Sequence, residues 1–152
     1  MARKILLFVS TMLLFISCDK RPEVQTNEEI GTVSFSFTDE NINEETANDA
    51  IPNAILIKIA DANGINIIDQ KLALTNFENT YITNNIQLIQ GNYTITLFNI
   101  LNEENVVIYT SPIENSDLAE SINDPLPINF SVIETENIII FPEVIFVGPT
   151  IP

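Results

Sequence analysis

Apolar residues at every second position, repeated along most of the chain, constrain this sequence more than any other feature. In "GTVSFSF" (31–37), Val33, Phe35 and Phe37 alternate with Thr32, Ser34 and Ser36. The same period of two returns in "NAILIKIA" (53–60), through Ile55, Ile57 and Ile59. It returns again in "GNYTITLFNI" (91–100), through Tyr93, Ile95 and Leu97, and in "LPINFSVI" (126–133), through Leu126, Ile128, Phe130 and Val132. A period of two puts one face of a strand in a core and the other in solvent, whereas a helix needs a period near 3.6. Isoleucine contributes 24 residues after Cys18, and its branched side chain favours sheets over helices. No stretch has a convincing helical period.

Turn chemistry separates these runs. "DANG" (61–64) divides the Asn53–Ala60 strand from "INIIDQKLAL" (65–74). Its Asp and Asn precede a glycine able to take positive φ, which predicts a hairpin. Thr80–Thr83 and Ile86–Ile89 predict short strands. "ENVVIYT" (104–110) is expected to pair with 91–100 across Leu101–Glu103. "SPIENSDLAESINDP" (111–125) is turn-rich, with one helical turn predicted near Asp117–Ser121. "NIIIFPEVIFV" (137–147) is a last strand that Pro142 must break, bulge or leave at an edge. Seven to nine short strands at this spacing predict one all-β domain, a two-layer antiparallel sandwich, over 31–152.

The first residues have a different character. Arg3 and Lys4 precede a run from Ile5 to Ile16 that is apolar apart from Ser10 and Thr11. A spanning helix needs roughly 20 apolar residues, so these twelve fit a secretory signal better than an anchor. The run ends in Phe15-Ile16-Ser17-Cys18, and Cys18 is the chain's single cysteine. This ending resembles the lipobox of bacterial lipoproteins, although Phe15 stands where that family usually has leucine. The resemblance covers residues 1–18. It implies cleavage before Cys18, acyl chains on Cys18, and a bacterial cell-envelope location, with the outer membrane, at its periplasmic or surface face, as the expected site. The segments are then a signal peptide over 1–17, a lipidated cysteine with a polar tether over 18–30, and the β domain. Several acyl chains on one residue give stable anchoring, where a single chain binds marginally.

Charge and missing residue types exclude whole classes of function. All 21 acidic residues follow Cys18, against Lys20, Arg21, Lys58 and Lys71, so the net charge of that part is 4 − 21 = −17. Nucleic-acid binding requires basic side chains against phosphates, and 72–152 contains none. Adsorption of the β domain to an anionic membrane surface is disfavoured for the same reason. The chain has no histidine, and lipidation consumes its cysteine. This removes Ser-His-Asp and Cys-His catalysis and the usual zinc sites. Carboxylate chemistry and oxygen-ligated calcium survive. A glycosidase needs two carboxylates held on rigid elements and, ordinarily, aromatic platforms for sugar. There is no Trp, the Phe residues fall mostly on strand faces that read as buried, and Tyr81 and Tyr109 are the tyrosines left for stacking. No enzyme is expected.

"LIQGNY" (88–93) fits the pattern Leu-x-x-Gly-x-Tyr, with Leu88, Gly91 and Tyr93 at the defining positions. It resembles the tyrosine corner of Greek-key sandwiches, in which a tyrosine opening a strand bonds back to the preceding connection. The wider stretch 86–98 is similar to the prealbumin-like and carboxypeptidase-regulatory-like modules of bacterial envelope proteins. This likeness covers about 60 residues, from Asn53 to Thr110, and implies an immunoglobulin-like or prealbumin-like sandwich with Tyr93 in a structural role.

The calcium candidates are Asp61, Asn63 and Asp69, around the turn at Gly64. Counted from Asp61, Gly64 is fourth and Leu72 twelfth, so the EF-hand pattern of Gly at six and Glu at twelve fails. Turn chemistry explains the same residues without a metal. Asp39, Glu40, Glu44, Glu45 and Asp49 add carboxylates in "TDENINEETANDA" (38–50), with no spacing that would hold them together. The expected role is a non-catalytic lipid-anchored envelope protein that binds a protein or glycan partner or packs into an assembly. The alternative is a small-molecule or glycan-capturing lipoprotein of an uptake system, followed by a carboxylate-dependent hydrolase.

Overall fold

The computed structural model describes residues 29–38, 51–78 and 80–148. The lipobox with Cys18, the tether up to residue 28, and the carboxylates between Asp39 and Asp49 lie outside them. No helix among the described residues is long and apolar enough to cross a membrane.

The fold is all-β. Ten strands form one continuous hydrogen-bonded network: β1 (Ile30–Thr38), β2 (Ala54–Asp61), β3 (Asn66–Phe77), β4 (Thr80–Thr83), β5 (Ile86–Ile89), β6 (Gly91–Leu101), β7 (Val107–Thr110), β8 (Ile128–Val132), β9 (Asn137–Ile140) and β10 (Ile145–Phe146). The path runs β10-β7-β6-β2-β3-β4-β1-β5, with β8 joining β6 and β9 joining β1. The predicted helical turn is a single 3-10 turn, Ala119–Ser121.

All strand pairs are antiparallel except β1 with β9, which is parallel. That departs from the purely antiparallel sheet expected. β8 ends at Val132, and the turn that follows, with Thr135 at φ +61°, sends the chain back beside β1 in the same direction as β1. β3 belongs to both halves of the network: Asn66–Ala73 lie along β2, and Leu74–Phe77 along β4. β4 and β5 act as one interrupted strand. Thr38 pairs with Thr80 and Ser36 with Ile82, but Val33 then pairs with Ile86, a slip of one residue. At the break the Phe35 amide finds its acceptor in a side chain, donating to Thr83 Oγ1 at 3.0 Å. A buried amide left without that oxygen would carry a full desolvation cost.

Phe35 of β1 and Phe98 of β6 have ring centroids 5.9 Å apart, though their strands exchange no backbone bonds. The two halves therefore meet across a core. Val33, Ile55, Ile57, Ile59, Ile95, Phe98, Ile100 and Ile108 are fully excluded from solvent there. Burial of this apolar area is the dominant stabilising term, roughly 1.5–3 kcal/mol for each large side chain.

Two details overturn the simple alternation. In β6 the register shifts where Lys58 opposes Leu97 and Ile59 opposes Ile95, leaving Thr96 as an extra residue. The bulge reverses the inward phase, so Phe98 and Ile100 enter the core while Leu97 is only half-buried. In β1, Ser34 and Ser36 are buried at 1% and 2% exposure, so the strand is not half-solvated. It is interior to the network, with β4 and β5 along one edge and β9 along the other, and the middle of its second face, at Ser34 and Ser36, carries small side chains that are also shielded from solvent.

Both long hairpins use one device. Asp61 Oδ1 accepts from the amides of Asn63 and Ile65, each at 2.9 Å, and Gly64 adopts φ +78°. Across β6–β7, Asn102 Oδ1 accepts from the Val106 amide at 2.8 Å, and Asn105 adopts φ +64°. In each, the residue at the strand end (Asp61) or just past it (Asn102) caps the amide four positions on, and the third residue after the cap is left-handed. Gly takes that conformation freely, and Asn is among the side chains that tolerate it best.

Candidate binding groove

The residues singled out from the sequence fall mainly into two places, and the structure adds a third. The first is the β5–β6 corner. Leu88 and Tyr93 are buried, and the Tyr93 hydroxyl donates to the Ile89 carbonyl at 2.6 Å. The Tyr93 ring stacks on Phe130 with centroids 5.6 Å apart. Burial pushes the Tyr93 hydroxyl above its ordinary range, and the charge of Asp61 adds to the effect. The phenol thus remains a donor. Gly91 has no positive φ, and a Cβ there would meet nothing nearer than the Tyr93 ring at 3.7 Å.

The second place is the β2–β3 hairpin, where the structure separates the calcium candidates. Asp61 and Asn63 share the turn, with Asp61 spending its oxygens on the amides of Asn63 and Ile65 and on the Asn63 carboxamide at 3.3 Å. The Ile65 amide is the main cause of a carboxyl held below the usual aspartate range. Asp69 lies further along the ladder, directly opposite Lys58, and pairs with its ammonium at 3.0 Å. Among the described residues no three Asp, Glu, His or Cys side chains gather around a common point.

Tyr81 and Tyr109, considered for stacking against a ligand, are each 5% exposed. Tyr81 lies flat on Phe37 at 4.9 Å between centroids, and Tyr109 meets Phe146 edge-on at 5.4 Å. Tyr81 stands opposite Phe37 and Tyr109 opposite Ile100, both core positions, so neither offers an open ring. Among the described residues, the rings that face solvent are Phe77, at 70% exposure, Phe141, at 63%, and Phe146, at 36%. Phe35, Phe37 and Phe98 are buried, and Phe130 packs against the core.

Phe141 belongs to the third place, a groove of about 500 Å³. Its walls are the end of β1 at Phe37, Tyr109 of β7, the segment after the 3-10 turn at Ile122, and the stretch from Phe141 to Phe146. One carboxylate organises it. Glu143 Oε2 accepts from the backbone amides of Asn123 and Asp124, the latter at 3.1 Å, and Oε1 accepts from Asn123 Nδ2 at 2.9 Å. The Asn123 side chain is the leading cause of a Glu143 carboxyl lowered from its ordinary value, with the two amides assisting. The groove thus holds a fixed negative charge beside exposed aromatic carbon, and no lysine or arginine lines it.

Sequence reasoning missed this constellation. Its one visible signal was Glu143, a lone charge inside the apolar run "NIIIFPEVIFV" immediately after its strand-breaking proline. Asn123 carried no signal, because a fold-dependent contact across 20 positions selected it.

No protein-family profile matches this chain, and no curated protein matches it. Among solved structures it is similar to part of a leucine-rich repeat protein from Bacteroides thetaiotaomicron, with a TM-score of 0.50 and 17% identity over 75% of this chain. The chain spans 12% of that protein's length. At such identity the likeness concerns the fold alone.

Proposed function

We propose that this is a non-catalytic, lipid-anchored protein of the bacterial cell envelope, whose all-β domain binds a partner. The carrying observation is the position of Cys18, the single cysteine, where the apolar run Ile5–Ile16 gives way through Ser17 to charged residues. Cleavage before Cys18 leaves the residues from Cys18 up to β1 as a tether, with the domain from Ile30 onward held off the membrane. The absence of histidine removes the usual general base near neutral pH. The Tyr93–Ile89 bond supports a Greek-key sandwich of the immunoglobulin-like or prealbumin-like kind, with Leu88, Gly91 and Tyr93 as its corner. The groove at Phe141 and Glu143 supports a partner over a purely packing role.

The second reading is capture of a small molecule or glycan for uptake. It draws on a groove volume in the range of small-molecule sites, about 300–1,000 Å³. Fractionation of cells expressing the wild type or Cys18→Ser tests the anchor. Wild type in the membrane fraction with Cys18→Ser released supports it, and equal membrane retention of both defeats it.

A further inference from the structure

Resting on that partner-binding reading, we propose that the groove between β1 and the 141–146 segment receives an extended segment of a partner protein that carries a Lys or Arg side chain. Three features select this occupant. The first is charge. The groove's only charged lining residue is Glu143, and the nearest sequence neighbours of its wall, Glu120 and Asp124, are also acidic. No basic residue occurs anywhere from 72 to 152 to compete for it. Three donors already hold the Glu143 carboxylate ionised and in place. A carboxylate has about four acceptor positions, so one remains for an incoming cation.

The second is the aromatic wall. Phe141 is 63% exposed and Phe146 36%, and both line the groove. A cationic side chain is apolar along its stem and charged at its tip, so it can lie on the rings and reach the carboxylate. The third is the strand end. β10 pairs with β7 on one edge and closes the strand order, leaving its other edge unpaired among the described residues. Ile145 and Phe146 of β10 line the groove themselves, so an extended backbone can pair with them while its side chains enter. A neutral oligosaccharide would use the rings but leave the charge without a partner.

The experiment uses the full chain in detergent micelles and a short, end-blocked, fluorescent peptide alternating Arg and Val, followed by anisotropy at physiological salt. Phe141→Ala and Glu143→Gln should each weaken binding at least about fivefold, in line with hot-spot losses at interfaces. Glu136→Gln makes the same change in net charge at an exposed turn outside the groove and should change binding less than twofold. Phe141 is solvent-exposed, so its variant should keep the wild-type melting temperature and isolate recognition from folding. Equal losses for Glu136→Gln and Glu143→Gln would reduce the interaction to bulk charge and overturn the proposal. So would unaltered binding by Phe141→Ala, absence of peptide binding, or displacement of the peptide by neutral oligosaccharides. Each of these leaves the anchor at Cys18 untouched, since that is decided by separate measurements on Cys18.

Discussion

The Tyr93 hydroxyl donates to the Ile89 carbonyl at 2.6 Å, joining the start of β6 to the last residue of β5. Removal of that oxygen in Tyr93→Phe keeps the stack on Phe130 and deletes one hydrogen bond. The expected cost is about 1 kcal/mol in urea unfolding. The variant should also differ at high pH. A phenol raised by burial contributes stability that is present below its unfolded value, near 10, and lost as pH rises through the folded one. Wild type should therefore lose stability above about pH 10 more steeply than Tyr93→Phe.

Gly31 and Gly91 make a contrasting pair. A Cβ on Gly31 would lie 2.4 Å from the Ile133 carbonyl oxygen and 2.6 Å from Val132 Cγ1, and the backbone atom cannot step aside cheaply. Gly31→Ala should destabilise by about 1–3 kcal/mol, as overpacking does. Gly91→Ala meets only an ordinary contact with Tyr93 and should stay within about 1 kcal/mol of wild type. Urea midpoints of the two variants decide this, and an equal loss in both would contradict it.

Acid should weaken the fold through Asp61 and Glu143. Each carboxyl is lowered in the folded state, by the Ile65 amide and by the Asn123 side chain respectively. A lowered folded value means that the contribution is present above the unfolded value, near 4, and is lost as pH falls through the folded one. Thermal melts of wild type should decline below about pH 4, and the double variant Asp61→Asn with Glu143→Gln should decline less.

The hairpin caps need no metal. Asp61 has its amides, and Asp69 has Lys58. Addition of calcium to about 1 mM, the upper range for extracellular modules, should leave the melting temperature unchanged. Asn102→Ala, which uncaps the Val106 amide, should cost about 1 kcal/mol regardless of calcium.

Strand positions were largely legible because alternation and turn residues are local. "DANG" announced its hairpin through Asp61 and Gly64, and Pro142 marked the gap between β9 and β10. The sequence did not disclose the bulge at Thr96, since an extra residue shows only against a partner strand. Nor did it disclose the burial of Ser34 and Ser36, since their polar side chains read as a solvent face. The parallel entry of β9 depends on where a turn delivers the chain, and composition does not record that. The groove was least legible. It joins residues near 37, 109, 122 and 141–146 through the network's topology, with Glu143 alone standing out beforehand.

The most direct test of the whole account is the intact mass of the protein recovered from the membranes of a bacterium that carries lipoprotein signal peptidase. The account predicts a chain beginning at Cys18 with the added mass of acyl groups, and loss of that species in Cys18→Ser. An unmodified chain beginning at any other residue would contradict the lipid anchor and the envelope role built on it.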